Sequence, residues 1–253
     1  MIQKLRSHLF NIAFYLWSGF MALIMLPTLV LPRRVCVFFQ HLWARGTMFL
    51  LRHLAGIRYE IRGIENLPDE QVLIASKHQS AWDTVIWHAI IDDPAIVLKK
   101  ELLYIPLYGW YALKVRMLPV DRSAHARALR RMLHDARAIA ATGRNIVIFP
   151  EGTRSSPDKP NPYLPGVAAL YRDLKLPVVP VAVNSGLYWP RRKIDKCPGT
   201  IVLEYLEPIP PGLPRREFMQ ILESRIETAT RALIAEGREN MHAPPPGTAR
   251  RQH

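Results

Sequence analysis

Seven short runs of branched and apolar residues, each followed by a helical or turn-rich stretch, restrict the fold of this chain more than any other feature. They lie at 57–61, 71–75, 95–98, 115–120, 145–149, 178–183 and 200–206. Runs of this length, bounded by polar residues, glycine or proline, read as buried strands. Helical patterns fill the gaps. Residues 84–91 are apolar on most sides, and 166–174 is a short helical stretch. Residues 125–141 place Leu129, Met132, Leu133, Ala136, Ile139 and Ala140 at helical spacing. Residues 215–235 put Phe218, Ile221, Leu222, Ile226 and Leu233 on one face. Strands alternating with helices predict an α/β layer, a largely parallel or mixed sheet flanked by helices.

Ahead of this body lies a different composition. Residues 7–32 carry no Asp, Glu, Lys or Arg. At about 1.5 Å rise per residue, such a run is long enough to cross a hydrocarbon layer of about 30 Å. Lys4 and Arg6 precede it and Arg33 and Arg34 follow it, so flanking charge sets no orientation. The run is too long for a signal peptide and lacks a small-residue cleavage site. Residues 35–55 mix Phe38, Phe39, Leu42, Trp43 and Met48 with Arg45, Arg52, His41 and His53. That pattern reads as a basic amphipathic helix able to lie in the headgroup plane. The expected organisation is a membrane-anchoring helical pair at 1–56, a catalytic body at 57–236, and a polar, proline-rich, disordered tail at 237–253.

The formal net charge is +13, which favours an anionic partner. The basic residues are scattered and no nucleic-acid-binding signature accompanies them, so the expected partner is an anionic bilayer or a phosphorylated substrate, not nucleic acid. The two cysteines, Cys36 and Cys197, lie in no motif, and no histidine partner marks either as a nucleophile. His88, His125 and His134 show no metal-ligand spacing, and no phosphate loop or dinucleotide fingerprint is present. No metal or tightly bound cofactor is expected.

Two segments carry chemistry. The run 145–149 ends at Pro150 and opens into Glu151, Gly152, Thr153 and Arg154. These residues fall on a loop at the C-terminal end of a strand, where open α/β sheets place ligands. A planar guanidinium there suits a phosphate. Upstream, the run 71–75 leads into His78 and, five residues on, Asp83. A carboxylate reaching back to one imidazole nitrogen fixes the tautomer and leaves the other nitrogen free to accept a proton. By itself the pair is better read as a helix N-cap or a core histidine.

Taken together, His78-x4-Asp83 followed by Phe149-Pro150-Glu151-Gly152-Thr153-Arg154 resembles the glycerol-phosphate acyltransferase family, most closely its bacterial 1-acylglycerol-3-phosphate branch. Lys99-Lys100-Glu101-Leu102 with Pro106-Leu107-Tyr108-Gly109-Trp110 is similar to a further family block. So are Leu118-Pro119-Val120-Asp121-Arg122 and the proline-bearing strand 178–182. The chain departs from the pattern twice: 114–117 lacks the usual glycine, and 163–166 lacks a lysine often found before Gly166. The resemblance implies a mixed sheet flanked by helices and a helical pair that can dip into one leaflet. It also implies transfer of an acyl chain from a thioester of acyl carrier protein or coenzyme A to lysophosphatidic acid at the inner membrane, facing the cytoplasm. His78 is then the base and Asp83 its orienter. Arg154, Arg122 and Lys100 are the candidates for the acceptor phosphate, with Gly152 and Thr153 in the same loop. Glu151 either meets the acceptor hydroxyl region, holds Arg154, or forms a structural ion pair with an arginine. For Arg122 the alternatives are a solvated charge or a pair with Asp121. Another lysolipid acceptor is the alternative substrate.

Overall fold

The computed structural model describes residues 1–121 and 125–242. In chain order it runs α1 (Ile2–Ile24), a 3-10 turn (Leu26–Leu29), α2 (Arg33–Leu50), a π turn (Leu51–Ala55), β1 (Ile57–Arg62), β2 (Leu73–Ser76), α3 (Trp82–Ile90) and β3 (Ala95–Lys99). It continues with α4 (Tyr108–Lys114), β4 (Leu118–Val120), α5 (His125–Ala140), β5 (Ile146–Ile148), α6 (Gly166–Leu174), β6 (Val178–Val183), α7 (Ser185–Tyr188), β7 (Gly199–Tyr205) and α8 (Arg215–His242). Each of the seven apolar runs contains a strand. The run at 115–120 is shorter as a strand than as a pattern, because Val115 caps α4.

The strands form one sheet in the order β1-β7-β6-β2-β5-β3-β4. Every pairing is parallel except β6 with β7. Alternation along β2 divides the core. Val72 and Ile74 face a layer that includes Trp82, Ile86 and Val85 of α3, while Leu73 and Ala75 face α5, α6 and α8 through Met132, Ala136, Leu170 and Phe218. A sheet covered on both faces needs apolar residues on both, which is why the central strands read as continuous apolar runs rather than alternating ones. The crossover from β2 passes over β5 to reach β3, and the one from β5 passes back over β2 to reach β6. The two connections leave in opposite directions, which opens a crevice beyond the C-terminal ends of β2 and β5.

The helical pair is fastened to this body. Phe10 of α1 is fully buried and meets Trp189 edge-on at 5.2 Å; burying such a ring contributes about 1.5–3 kcal/mol. Tyr111 donates its hydroxyl proton to the Ala22 carbonyl at 2.5 Å, and Lys114 Nζ donates to the Leu29 carbonyl at 2.8 Å. Arg33 grips Asp93 with two hydrogen bonds of 2.9 and 2.5 Å. Cys36, Ala44, Met48, Leu51 and Ala55 join the same core layer as Ile74 and Trp82. Much of the apolar stripe read as facing headgroups therefore faces protein. The outward sides remain apolar: Leu5, Ile12, Leu16, Phe20 and Leu23 on α1, and Phe38, Leu42 and Phe49 on α2, are exposed. By length and composition α1 is able to cross a membrane.

The last helix also differs from expectation. It runs through Gly237 to His242, past the point where the sequence composition predicts a tail. A Cβ at Gly237 would lie 2.8 Å from Leu187 Cδ1 and 2.9 Å from the Tyr188 hydroxyl. The glycine serves close packing of α8 on α7, and the helix continues through it. The proline-rich part of the expected tail, 243–253, lies outside the described residues.

Candidate active site

His78 lies just past the end of β2 and Asp83 on the first turn of α3. His78 Nδ1 and Asp83 Oδ2 are 3.0 Å apart. The same carboxylate oxygen accepts the backbone N–H groups of Gln79 at 2.6 Å and Ser80 at 2.8 Å. Asp83 thus closes the turn between strand and helix and fixes the imidazole in one step. A carboxylate holding Nδ1–H leaves Nε2 able to accept a proton. The ring stacks on Phe149, centroids 4.2 Å apart, which limits its rotation.

The loop after β5 clamps the backbone of His78 on both sides. Glu151 Oε2 accepts the His78 N–H at 3.0 Å, and Ser155 donates both its N–H and its hydroxyl to the His78 carbonyl, at 2.8 and 3.1 Å. Gly152 has φ +66, a left-handed turn natural to glycine, and it begins the turn that brings Ser155 back toward His78. The two motifs are one structural unit, joined across β2 and β5.

Glu151 is placed behind the histidine and not in the cleft. It is 3% exposed, and its other oxygen lies 2.7 Å from Lys77 Nζ. The ion pair anticipated for it exists, but with Lys77, not with an arginine. It touches neither Arg154 nor the cleft where an acceptor hydroxyl would sit. Lys77 also meets Glu227 of α8 at 2.5 Å, and Tyr163 donates to that carboxylate at 3.0 Å.

In front of His78 lies a cleft of about 280 Å³. Its lining combines the polar side chains of His78, Lys99, Thr153, Arg154 and Arg191 with the apolar ones of Trp43, Ile96, Leu98, Tyr108, Ala112 and Met117. Gly152 and Thr153 line it with Arg154, as the loop reading expected. Lys100 does not. Its ammonium pairs with Asp121 at 3.1 Å on the surface, and the preceding Lys99 faces the cleft instead. Arg122 lies outside the described residues. Arg191 was missed by sequence reasoning. It donates to the Arg154 carbonyl at 2.8 Å, and its only sequence signal was its place in the basic triplet Arg191-Arg192-Lys193. Burial, and then the nearby Arg191 charge, lower the Arg154 pKa from its ordinary value. A guanidinium whose charged form is disfavoured by burial and by a neighbouring cation is suited to bind an anion.

His88 also lines the cleft, and its ring lies 6.4 Å from that of Trp43. Burial, and then the neighbouring His41, push its pKa down to about 4. The sign follows from linkage. The unfolded imidazole takes a proton near 6.5 while the folded one resists, so stability present above 6.5 is lost as pH falls toward 4. Thermal midpoints measured across that window are expected to drop for the wild type, by up to about 3 kcal/mol in stability, and less for His88→Gln. Parallel curves for the two proteins would exclude the effect. Among the described residues, no group of three or more His, Cys, Asp or Glu side chains is arranged to hold a metal.

Comparison with known proteins places this arrangement in a family. The acyltransferase family model matches residues 58–184, from β1 to just past β6. The 1-acyl-sn-glycerol-3-phosphate acyltransferase of Pseudomonas aeruginosa is 36% identical over 204 residues, covering 79% of this chain and 79% of that protein. The enzyme of the same name from Limnanthes alba is 33% identical over 159 residues, 62% of this chain and 56% of its own length. The crystal structure of the LPA acyltransferase PlsC of Thermotoga maritima shares the fold, with a TM-score of 0.75 over 92% of this chain and 98% of that one, at 22% identity. The chain belongs to the acyltransferase family.

Proposed function

We propose that the protein transfers a fatty acyl chain from a thioester of acyl carrier protein or coenzyme A to the sn-2 hydroxyl of lysophosphatidic acid, giving phosphatidic acid. The observation that carries the reading is His78, held by Asp83, lining a cleft that also brings together Lys99, Arg154, Arg191 and a set of apolar side chains. The relatives named above bear the name of this activity. In the step proposed, the acceptor hydroxyl attacks the thioester carbon while His78 Nε2 takes its proton. The tetrahedral intermediate then collapses, the C–S bond breaks, and the proton leaves on the thiol. Arg154, with Arg191 and Lys99 beside it, faces the acceptor phosphate, and the apolar walls accept the acyl chain. The step uses no metal and no cofactor beyond the co-substrate.

The lipid acceptor requires the cleft to sit near a bilayer. Exposed Tyr104, Ile105, Trp110 and Leu113 lie on or beside α4, and α4 packs near the turn that joins α1 to α2. Together with the outward faces of those helices they supply exposed apolar surface of the kind that rests in a headgroup layer. The site is proposed to work at the cytoplasmic face of the inner membrane, where water-soluble thioesters reach it.

The test is a competition assay on detergent-purified protein. Lysophosphatidic acid, lysophosphatidylcholine and glycerol-3-phosphate are offered together with each donor type, and product is expected from the first alone. Preferred acylation of lysophosphatidylcholine would overturn the acceptor assignment. The paired arginines favour a phosphomonoester over a zwitterionic headgroup. Direct attack also needs no acyl-enzyme. Cys36 is buried, and its thiol pKa is raised chiefly by that burial. Cys36→Ala/Cys197→Ala is therefore expected to keep most of the activity, and a labelled acyl group trapped on either thiol would sink the one-step route.

A further inference from the structure

A second and larger cavity, about 630 Å³, lies between α1 and the segment 189–196. It meets the cleft at one residue, because Arg154 lines both. Neighbouring residues serve the two spaces. Arg191 lines the cleft, while Arg192, at φ +59, and Lys193 line the second cavity. A non-glycine residue in the left-handed region carries backbone strain, and here it accompanies the division of two adjacent arginines between two spaces. No carboxylate belongs to the lining, and Arg154, Arg192 and Lys193 make no ion pair among the described residues. The opposite wall is α1, where Ile12 and Tyr15 are exposed and continue into the apolar outer face of the helix.

Lys196 fixes this geometry. It is 2% exposed. Its ammonium donates to the Ile194 carbonyl at 2.8 Å and to Asn11 Oδ1 at 3.2 Å, and it lies 5.3 Å from the ring centroid of Trp189. Ser7 of α1 bonds the Lys196 backbone N–H at 2.9 Å. These contacts anchor the segment to the helix, so the free charges of Arg192 and Lys193 are held at a set distance from an apolar track. Positive groups without partners beside an apolar helix match a single-chain lipid with a phosphomonoester head.

We propose that this groove is the docking site of the lysolipid acceptor: its phosphate is received by Arg192 and Lys193 and passed to Arg154, with its chain laid along α1. The inference rests on the acceptor assigned above. It gives donor and acceptor separate approaches, the acyl thioester through the apolar cleft and the lysolipid along the first helix.

The probe is lysophosphatidic acid in neutral detergent micelles, bound to full-length protein carrying His78→Ala so that turnover does not intervene. Adding Arg192→Asn and Lys193→Gln is expected to weaken binding by about tenfold or more, since two charge-assisted contacts are lost. The loss should shrink as salt rises. Asparagine tolerates the left-handed backbone at position 192, and the fold is checked by melting. Monoacylglycerol, which lacks the phosphate, should bind both proteins alike. Arg215→Gln/Arg216→Gln, on the exposed start of α8, is the control for bulk charge and should leave binding unchanged. Unchanged affinity for lysophosphatidic acid in the groove variant overturns the proposal. So does a rise confined to the KM of the acyl thioester when His78 is restored, which would give the groove to the donor. So does a loss seen only as weaker adsorption to anionic vesicles, which would make it a membrane contact. Phosphate-dependent binding lost in the variant, in a wild type that fails to acylate lysophosphatidic acid, would uphold the groove and overturn the acceptor chemistry instead.

Discussion

His78→Ala is expected to reduce acyl transfer to the background level while leaving the melting temperature close to that of the wild type. Nε2 is the ring nitrogen left free by Asp83, and among the described residues no other imidazole lining the cleft is hydrogen-bonded to a carboxylate. His88, which also lines the cleft, lies against the Trp43 ring. Asp83→Asn is expected to be nearly as severe. An amide at that position can present its NH₂ to Nδ1, which favours the tautomer with the proton on Nε2 and removes the acceptor. In a Ser-His-Asp triad the equivalent change costs about 10⁴ in kcat. Asp83 Oδ2 also holds the Gln79 and Ser80 backbone N–H groups, so Asp83→Asn should lose some stability where His78→Ala does not. Steady-state kinetics with a saturating thioester and a thermal melt of each variant separate the two effects. More than a few per cent of wild-type kcat in His78→Ala would remove the histidine from the role of base.

The strands were legible because strand burial leaves a local mark: 72–75 and 146–149 are uninterrupted apolar runs, and each marks one central strand. The pairing of His78 with Asp83 was legible because it closes within one turn, over five residues. Contacts between distant segments left no such mark. Lys77 reads as an ordinary polar residue before a histidine, yet it meets Glu151, 74 positions on, and Glu227, 150 positions on. That is why Glu151 was read as facing a substrate or an arginine. Lys99 and Lys100 are adjacent in sequence, and which of them faces the cleft depends on where β3 ends and the following 3-10 turn begins. The helix at 35–55 shows the same limit in another form. Apolar periodicity demands burial but does not say whether lipid or protein supplies it: Phe39, Trp43 and Met48 pack on protein, while Phe38 and Leu42 stay exposed. The polar, proline-rich composition after Gly237 places the expected tail there, whereas the helix continues and Gly237 packs closely against Leu187 and Tyr188.

Lys77→Met should be the most destabilising single change behind the site. The ammonium is 1% exposed and is the shared partner of two carboxylates, Glu151 at 2.7 Å and Glu227 at 2.5 Å. Methionine nearly preserves the stem but leaves both acids without their counter-charge. Removing one partner of a buried ionic cluster costs about 3–5 kcal/mol, because the remaining charge is desolvated and unpaired. For a chain of this size that corresponds to roughly 6–20 °C in Tm. The consequence reaches the chemistry through one bond. Glu151 Oε2 holds the His78 backbone N–H, so a Glu151 drawn toward water would release one side of the catalytic loop, and kcat should fall even at temperatures where the protein remains folded. Adding Glu151→Gln and Glu227→Gln to Lys77→Met removes the unpaired charges while keeping an oxygen able to accept the His78 N–H. That triple variant is expected to regain most of the lost stability, since replacing a whole buried ionic cluster by neutral groups is far less costly than breaking it. A Lys77→Met protein that melts with the wild type would show that the cluster does not hold the loop, and recovery of stability without recovery of kcat in the triple variant would give Lys77 a part in the reaction beyond support.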